Sequence, residues 1–328
     1  MRHAVWFRIA CAAGLLALAM LFGVLSGTEP VSLGRAITDA ESLDRVIISS
    51  VRLPRVALGA LSGAGLAIVG CAFQAVLRNP LAEPYVLGVS GGAAFGATCA
   101  ILLGLAGTTL VGASLVPLAA LAGGIGATAL VYGLARSSRG ASSTSILLAG
   151  VVVNAIASAA ITFLKTLVTA SKAQELLFWL MGFLDVPSPV SLGMVAAYVT
   201  LGSAILLHDA GRLNLLALGD EPAAHLGVDV RALERRVFVA CSLVVGAIVS
   251  VTGLIGFVGL IVPHALRRVM GPDNRALLPA SLFCGGATLV VCDLASRTLF
   301  RWLHTEPPVG AVTALVGGPL FLMLLRRP

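Results

Sequence analysis

The chain has 328 residues, of which 58% are hydrophobic and 11% are charged, and its mean hydropathy is +1.00. A soluble domain carries about 25% charged residues, so the composition excludes a water-soluble fold and makes lipid the solvent for most of the chain. The net charge is +7, but the arginines lie at the ends of apolar runs and form no basic segment interleaved with aromatic residues, which argues against nucleic acid as a partner.

The apolar runs predict an all-α, polytopic membrane protein with about ten transmembrane helices in a single domain over residues 1–328. Backbone polar groups in lipid must pair internally, and runs of about 16–25 residues without period-2 alternation favour helices over a β-barrel. In chain order, the predicted spans cover residues 4–25, 54–77, 85–105, 113–135, 145–164, 190–207, 237–251, 255–269, 276–291 and 309–325.

The first apolar run follows Arg2 and Arg8, as in a signal peptide. It continues to Leu25 without a clear cleavage site, and further spans follow, so a retained helix is the favoured interpretation. The eighth predicted span, 255–269, is short and contains Pro263, which leaves open whether it crosses the membrane completely.

The distribution of basic residues predicts the orientation. With the N-terminus inside and ten crossings, 14 of the 22 basic residues fall on inner segments and 8 on outer segments. Because inner loops carry the excess of Arg and Lys, both termini are predicted to be cytoplasmic. Residues 26–53 then form an outer loop, which is predicted to contain a short amphipathic helix.

Residues 52–97 form the most distinctive stretch of the chain. Two helices rich in glycine and alanine are joined by a polar hinge, residues 78–84, in which Pro80 and Pro84 end one helix and start the next. Small residues let helices approach closely in lipid. The hinge is either a plain connecting loop or a functional corner, and its own residues do not decide between them.

Two other segments are predicted to lie outside the spans. Residues 173–184 are too short to cross the membrane and are predicted to form an interfacial helix. The inner loop, residues 208–236, is predicted to form two short helices separated by glycine turns. Its apolar face packs either on the protein's own helix ends or on a partner subunit. The leucines of that face are Leu213, Leu215, Leu216 and Leu218.

The chemistry of the sequence excludes several classes of protein. No GxxxxGK[ST] phosphate loop is present, so the chain does not hydrolyse nucleotide by that route. The spans offer Asn154 and Gln74 rather than the acidic residues typical of ion-coupled carriers. An intramembrane hydrolase is disfavoured because Ser90 has no evident histidine partner. None of the six cysteines forms a CxxC pair, so we expect packing roles rather than a disulfide or a metal site.

Several arginines fall on the predicted outer face. Asp293 and Arg297, four residues apart, form either a local helix-surface pair or part of an exposed positive patch that receives an acidic partner. The other basic residues of that predicted patch are Arg52, Arg55 and Arg301.

Seven motifs in order resemble the FecCD-type permease subunits of binding-protein-dependent ABC importers, which take up iron–siderophore complexes, haem and vitamin B12. They cover nearly the whole chain. The motifs are RLPR from Arg52, RNPLAEP from Arg78 followed by LGVSGGA, STSILLAG from Ser143, WLMG from Trp179, LALGDEPAAHLGV from Leu216, GLIGFVGLIVPHALRR from Gly253 and PPVGAVTALVGGPLFLMLL from Pro307.

The resemblance implies a homodimer with a central pathway in the cytoplasmic (inner) membrane of a bacterium. It also implies two separate ATPase subunits, which hold ATP and Mg, and a periplasmic or lipid-anchored substrate-binding protein. The chain itself would bind no cofactor or metal and would not be an enzyme. Transport would proceed by alternating access, in which ATP closure of the motor moves the cytoplasmic loop and resets the gates.

The resemblance also implies roles for particular residues. The residues that match the family's cytoplasmic gates are Asn79, Pro80, Leu81, Thr144 and Ser145. Those that match its ATPase-coupling helices are Leu218, Gly219, Asp220, Glu221, Leu226 and Gly227. Those that match the basic residues contacted by the binding protein are Arg52, Arg55 and Arg297.

The alternative from a different class is a self-contained secondary carrier or channel. The sequence leaves the cargo open between a ferric siderophore, haem and cobalamin. The five histidines lie toward membrane edges or loops, which disfavours axial ligation of haem inside a central cavity.

Overall fold

The computed structural model describes residues 2–39, 41–105, 109–110, 113–137 and 143–326. Within these residues the fold is a bundle of α-helices with one short hairpin, in which β1 (Thr109–Leu110) pairs antiparallel with β2 (Ala113–Ser114). The helices, numbered in chain order, are α1 Arg2–Leu25, α2 Leu33–Thr38, α3 Leu43–Val46, α4 Leu53–Val76, α5 Val89–Leu102, α6 Leu115–Ser137, α7 Ser143–Lys165, α8 Ala170–Met181, α9 Pro189–His208, α10 Ala210–Leu216, α11 Asp220–His225, α12 Val230–Thr252, α13 Val258–Met270, α14 Asn274–Leu303 and α15 Val309–Arg326.

The all-helical prediction is confirmed. Each predicted span corresponds to one helix, although α12 and α14 are longer than predicted. In the described part of the chain, seven helical stretches are long and apolar enough to cross a membrane, judged by length and composition. The shorter helices α5, α13 and α15 fall outside that set, so helix length does not settle the predicted number of ten crossings.

Helix α4 is the centre of the bundle. It is buried along almost its whole length and packs antiparallel against α14. The two helices touch backbone to backbone: a Cβ on Gly63 would lie 2.2 Å from the carbonyl oxygen of Gly285, and a Cβ on Gly285 would lie 2.4 Å from that of Gly63. The small residues noted in the sequence therefore permit a close backbone contact between these two core helices.

The outer loop contains two short helices, α2 and α3, where one was predicted. Ser32 and Ser42 cap them, each with a side-chain oxygen that accepts a hydrogen bond from the backbone N–H three residues on. A π-helical turn, Ile47–Arg52, then joins α3 to α4. The predicted interfacial helix forms as α8, over Ala170–Met181.

The chain unwinds between α12 and α13. Residues 253–257 are not helical, and Phe257 adopts a φ of 69°, which is uncommon for a residue with a side chain. Pro263 lies inside α13 rather than at the break. The predicted eighth span is therefore a 13-residue helix that follows a non-helical stretch.

Candidate functional sites at the two ends of the bundle

The antiparallel pair α4–α14 defines two ends of the bundle, and the predicted site residues divide between them. Arg55 of α4 pairs with Asp293 of α14 at one end. At the other end Cys71 of α4 lies 3.9 Å from the side-chain oxygen of Asn274. The hinge and the predicted coupling loop lie at this second end.

The side chain of Asn79 stabilises the turn of the hinge. Asn79 accepts a hydrogen bond from the backbone N–H of Leu81 at 2.9 Å, an arrangement that lets an asparagine side chain replace a turn of backbone. The N–H of Ala82 donates to the carbonyl of Asn79 at 3.0 Å. Pro80 lies inside this turn, and the side chain of Leu81 is exposed.

The hinge contacts the predicted coupling segment directly. Arg78 adopts a φ of 49°, and its guanidinium forms an ion pair with the carboxylate of Asp220, the first residue of α11. The two side chains are 36% and 55% exposed. Sequence reasoning assigned the hinge and Asp220 to different sites and missed Arg78. The pair is separated by 142 positions, so no local spacing could have revealed it.

The coupling segment, residues 209–229, has the predicted form of two short helices with glycine turns. Gly219 and Gly227 both have positive φ angles, of 116° and 85°. The predicted apolar face divides into two parts. Leu213 and Leu216 are fully buried against the protein's own helix ends and Leu215 is half-buried, whereas Leu218 is 62% exposed. Leu226, which was not part of the predicted face, is also exposed, by 58%.

Two polar clusters fasten this segment to the bundle. The buried carboxylate of Asp209 pairs with Arg236 of α12 at 2.9 Å and with Arg212 at 2.5 Å. Burial acts to raise the pKa of the Asp209 carboxyl, but hydrogen bonds from Arg236 and Arg212 outweigh it and hold the pKa below its usual value. Asn214 donates to Asp273 at 2.6 Å and accepts from the N–H of Asn274 at 2.8 Å.

The other predicted gate residues begin α7. Ser145 is half-buried within its first turn. The side chain of Thr144 and residues 138–142 lie outside the described part of the chain. The gate role of this pair therefore stays a prediction.

The C-terminal end of the hinge forms hydrogen bonds with the unwound stretch, residues 253–257. Glu83 accepts a hydrogen bond from the N–H of Phe257 at 2.7 Å, and the hydroxyl oxygen of Tyr85 accepts one from the N–H of Ile255 at 3.0 Å. Burial raises the pKa of the Glu83 carboxyl above its usual value, and the hydrogen bond from Phe257 opposes this only in part. The hinge therefore supplies acceptors for backbone groups that no helix satisfies.

Asn154 of α7 bridges the start of α5. Its side-chain nitrogen donates to the carbonyl of Tyr85 at 2.7 Å, and its side-chain oxygen accepts from the N–H of Gly91 at 3.0 Å. Beside it lies a cavity of about 520 Å³ between α5 and α7. Its polar lining consists of Tyr85, Ser90, Asn154, Ser158, Thr162 and Lys165.

The alternative of an exposed arginine patch is wrong for Arg52 and Arg297. Arg52 and Arg297 are each only 4% exposed. Arg52 donates to the carbonyls of Val24 and Leu25, which are left unpaired at the C-terminal end of α1. These carbonyls form the negative end of the α1 dipole, so they are favourable partners for a cation.

Arg55 and Arg297 share one buried carboxylate. Asp293 lies 2.8 Å from Arg55 and 2.9 Å from Arg297, and Arg55 also pairs with Glu306. The predicted i, i+4 pair of Asp293 and Arg297 is therefore confirmed, but inside the protein rather than on a helix surface. Arg301, one turn later, is exposed.

Comparison with known proteins identifies the family of the chain. Residues 15–327 match the model of the FecCD transport family. The chain belongs to this family. The resemblance inferred from the seven motifs is thus confirmed, and this FecCD protein is a multi-pass membrane transport protein.

Relatives of this FecCD protein include two named permeases. The cobalamin import system permease protein BtuC of Halobacterium salinarum is 44% identical over 282 residues, which cover 86% of this chain and 74% of that protein. The hemin transport system permease protein HmuU of Yersinia pestis is 38% identical over 279 residues, which cover 85% of this chain and 82% of that protein.

A solved structure has the same fold. It is described as an inward-facing conformation of a transporter assigned to the metal-chelate type of ABC transporters. The match has a TM-score of 0.85 at 31% identity, and it covers 99% of this chain and 100% of that chain.

Proposed function

We propose that this FecCD protein is the permease subunit of an ABC importer that moves a ferric siderophore, haem or cobalamin across the cytoplasmic membrane of a bacterium. The observation that carries the proposal is the ion pair between Arg78 of the hinge and Asp220 of α11. It connects the coupling segment, which is suited to dock an ATPase subunit, with the hinge, which leads into the wall of the cavity between α5 and α7. The names of the relatives, which refer to cobalamin and hemin, support the cargo class.

The proposed topology has ten crossings with both termini in the cytoplasm. Ten helices correspond to the ten apolar runs, and the excess of basic residues on one side supports the orientation. In a background whose six native cysteines are replaced by alanine or serine, single cysteines at 229 and at 41 should react with a membrane-impermeant maleimide only from the inside and only from the outside, respectively. Labelling from the same side would overturn the topology.

The proposed partner of the coupling segment is an ATPase subunit, one for each copy in a homodimer. Leu218 and Leu226 present apolar side chains next to the acidic residues Asp220 and Glu221. The other leucines of this segment are less available, because Leu213 and Leu216 are buried and Leu215 is half-buried. The flanking Gly219 and Gly227 set the direction of α11. ATP and Mg would be held by the partner, since this chain carries no phosphate loop.

Movement of α11 would reach the cavity through a short series of contacts. Asp220 pulls on Arg78, and the hinge residues Asn79, Pro80 and Leu81 follow because one turn contains them. Glu83 and Tyr85 then carry the displacement to the unwound stretch, and Asn154 carries it to α7. Thr144 and Ser145, at the start of α7, would complete the cytoplasmic gate. This is a hinge movement of the kind that gates many transporters.

We also propose that Arg52, Arg55 and Arg297 contact the substrate-binding protein, but only after they exchange partners. Their guanidinium groups already have internal partners, so docking would require an exchange of partners. Glu306, whose side chain is 32% exposed, is the carboxylate at this site that an incoming acidic group could replace on Arg55.

Reconstitution tests the proposed function. The permease, its cognate ATPase and its binding protein should together take up one of haem, cobalamin or a ferric siderophore in proteoliposomes, and vanadate should block that uptake. Uptake that survives vanadate and collapses with an uncoupler would instead identify a secondary carrier.

A further inference from the structure

A second cavity lies at the end of the bundle that carries the buried arginines. It has a volume of about 340 Å³ and lies between α8, the ends of α5 and α12, and the start of α6. The segment that follows α8 lies at the same end of the bundle as the buried arginines, because the carbonyl of Gly182 accepts a hydrogen bond from the N–H of Gly310 at 3.1 Å. We call it the acidic–aromatic cavity after five of its lining residues, Glu175, Phe178, Trp179, Phe183 and Asp185.

The cavity carries two carboxylates that lack a balancing charge. Glu175 and Asp185 are both exposed, and neither forms an ion pair with any residue in the described part of the chain. Lys172, one turn before Glu175 on α8, instead donates its ammonium to the carbonyl of Leu102 at 3.1 Å. A chain with a net charge of +7 therefore holds a negatively charged concavity.

Three aromatic rings complete the cavity. Phe178 and Phe183 lie with their ring centroids 6.1 Å apart at an angle of 56°, and Trp179 lines the same space. Ring faces attract cations, and tryptophan does so most strongly. Aromatic surface disfavours a hydrated metal ion, which seeks oxygen ligands. Carboxylates beside aromatic rings suit an organic cation, whose charge is spread over an apolar group.

We propose that the acidic–aromatic cavity binds an organic cation through an ammonium or guanidinium group. Occupancy would reach the transport machinery, because Thr252 and Gly253 form part of the wall. These two residues lead into the unwound stretch that Glu83 and Tyr85 hold. The cation belongs either to a free small molecule or to a basic side chain of a docked protein, and binding itself does not depend on the proposed function.

Trp179 provides a direct measurement of binding. The chain has three tryptophans, so the variant Trp6→Phe/Trp302→Phe, in lipid nanodiscs, leaves Trp179 as the only one. Titration with L-arginine methyl ester and with tetramethylammonium chloride should give a saturable fluorescence change and a matching calorimetric isotherm, at constant ionic strength. Adding Glu175→Gln/Asp185→Asn should weaken binding at least tenfold.

A matched control neutralises two exposed carboxylates of the outer loop, Glu29→Gln/Glu41→Gln, and should leave the affinity unchanged. Thermal unfolding of each variant establishes that it is folded. The absence of saturable binding by both methods, or equal affinity in the Glu175→Gln/Asp185→Asn variant, would overturn the proposal.

A second measurement identifies the source of the cation. Charge reversal by Glu175→Lys/Asp185→Lys should weaken docking of the substrate-binding protein at least tenfold if the cation is a side chain of that partner, relative to Glu29→Lys/Glu41→Lys. Unchanged docking together with saturable probe binding assigns the cavity to a free small cation. The fluorescence assay needs neither ATPase nor binding protein, so its failure and a failure of the transport assay are distinguishable.

Discussion

Arg78, in the hinge, and Asp220, the first residue of α11, form an ion pair that joins two segments 142 positions apart. The contact bridges the C-terminal end of α4 and the segment with exposed Leu218 and Leu226. Because both side chains are more than one-third exposed, the pair contributes only about 0–1 kcal/mol to stability. We therefore expect it to serve the transmission of movement more than folding.

The first prediction concerns this pair. Arg78→Gln and Asp220→Asn should each lower stimulated ATP hydrolysis and uptake several-fold, while the thermal stability of the isolated permease changes little. The double variant should lower hydrolysis and uptake no further than either single one, because each already breaks the contact. A double-mutant cycle on these two activities should therefore show that the two substitutions are not additive.

The ion pair of Arg35 and Asp44 is a matched control, since it joins α2 and α3 in the outer loop at 2.8 Å. Arg35→Gln and Asp44→Asn should leave both stimulated ATP hydrolysis and uptake unchanged. Additive effects of Arg78→Gln and Asp220→Asn would show that the pair does not connect the hinge with the coupling segment.

The second prediction concerns the contact between α4 and α14. Gly63→Ala places a methyl group 2.2 Å from the carbonyl of Gly285, so the helices must separate. Overpacking of a core costs about 1–3 kcal/mol even where side chains can adjust, and backbone cannot. We expect a clear fall in the midpoint of thermal unfolding in detergent.

Gly193→Ala, in α9, provides the comparison, because a Cβ there meets nothing within 4 Å. It should leave the midpoint unchanged or raise it, since alanine favours a helix by about 0.8–1.0 kcal/mol over glycine. Equal midpoints for Gly63→Ala and Gly193→Ala would contradict the close approach.

The helices could be predicted because each depends on a local pattern. Apolar runs predict the spans, and glycines between short apolar segments predict the turns that the structure has at Gly219 and Gly227. The bond from Phe257 to Glu83 joins residues 174 positions apart, and the bridge from Asn154 to Tyr85 joins residues 69 apart. Such contacts depend on how helices are arranged, which one sequence does not reveal.

The arginines show why the charge pattern misled. Arg52 and Arg55 do lie at the start of α4, whereas Arg297 was predicted beyond a span that ended at 291 and instead lies inside α14, Asn274–Leu303. Exposure also depends on whether a partner lies nearby. Arg52 finds the open carbonyls of α1, and Arg55 and Arg297 find Asp293. Spacing along α14 predicts the pair of Asp293 and Arg297, but the partners of Arg52 and Arg55 cannot be recognised before the fold brings α1 and α14 beside α4.

The third prediction follows from that burial. Arg297→Gln removes one of the two arginines that pair with Asp293, whose side chain is 1% exposed. Breaking a buried ion pair costs about 3–5 kcal/mol, and we expect a loss toward the lower end because Arg55 remains. Thermal unfolding of the isolated permease measures it.

Arg301→Gln is the control for this change, because Arg301 lies one turn further along α14 and is exposed. Its guanidinium donates to the carbonyls of Gly27 and Thr28 but pairs with no buried carboxylate, so the change should lower the unfolding midpoint less than Arg297→Gln does. If Arg297→Gln left the midpoint unchanged and weakened only the docking of the binding protein, Arg297 would be a docking residue rather than a structural one.

The last prediction concerns the dependence of stability on pH at Asp209. Its carboxylate pairs with Arg236 and Arg212, which hold its pKa below the usual value, so the folded protein binds a proton there less readily than the unfolded chain. The resulting stabilisation is present above the ordinary carboxyl pKa of about 3.9, and it is lost as pH falls through the lowered folded value.

Asp209→Asn should therefore lower stability at pH 7, by about 1.5–3 kcal/mol, which is typical of hydrogen bonds to charged groups. The difference from the unsubstituted protein should shrink as the pH is lowered well below that of the free carboxyl group. Asp229→Asn is the control at neutral pH, because an asparagine oxygen can still accept the capping hydrogen bond that Ala232 donates to Asp229 at 3.0 Å. A difference for Asp209→Asn that stayed constant down to acid pH would mean that lost packing, rather than the charge pairing with Arg236 and Arg212, accounts for the effect.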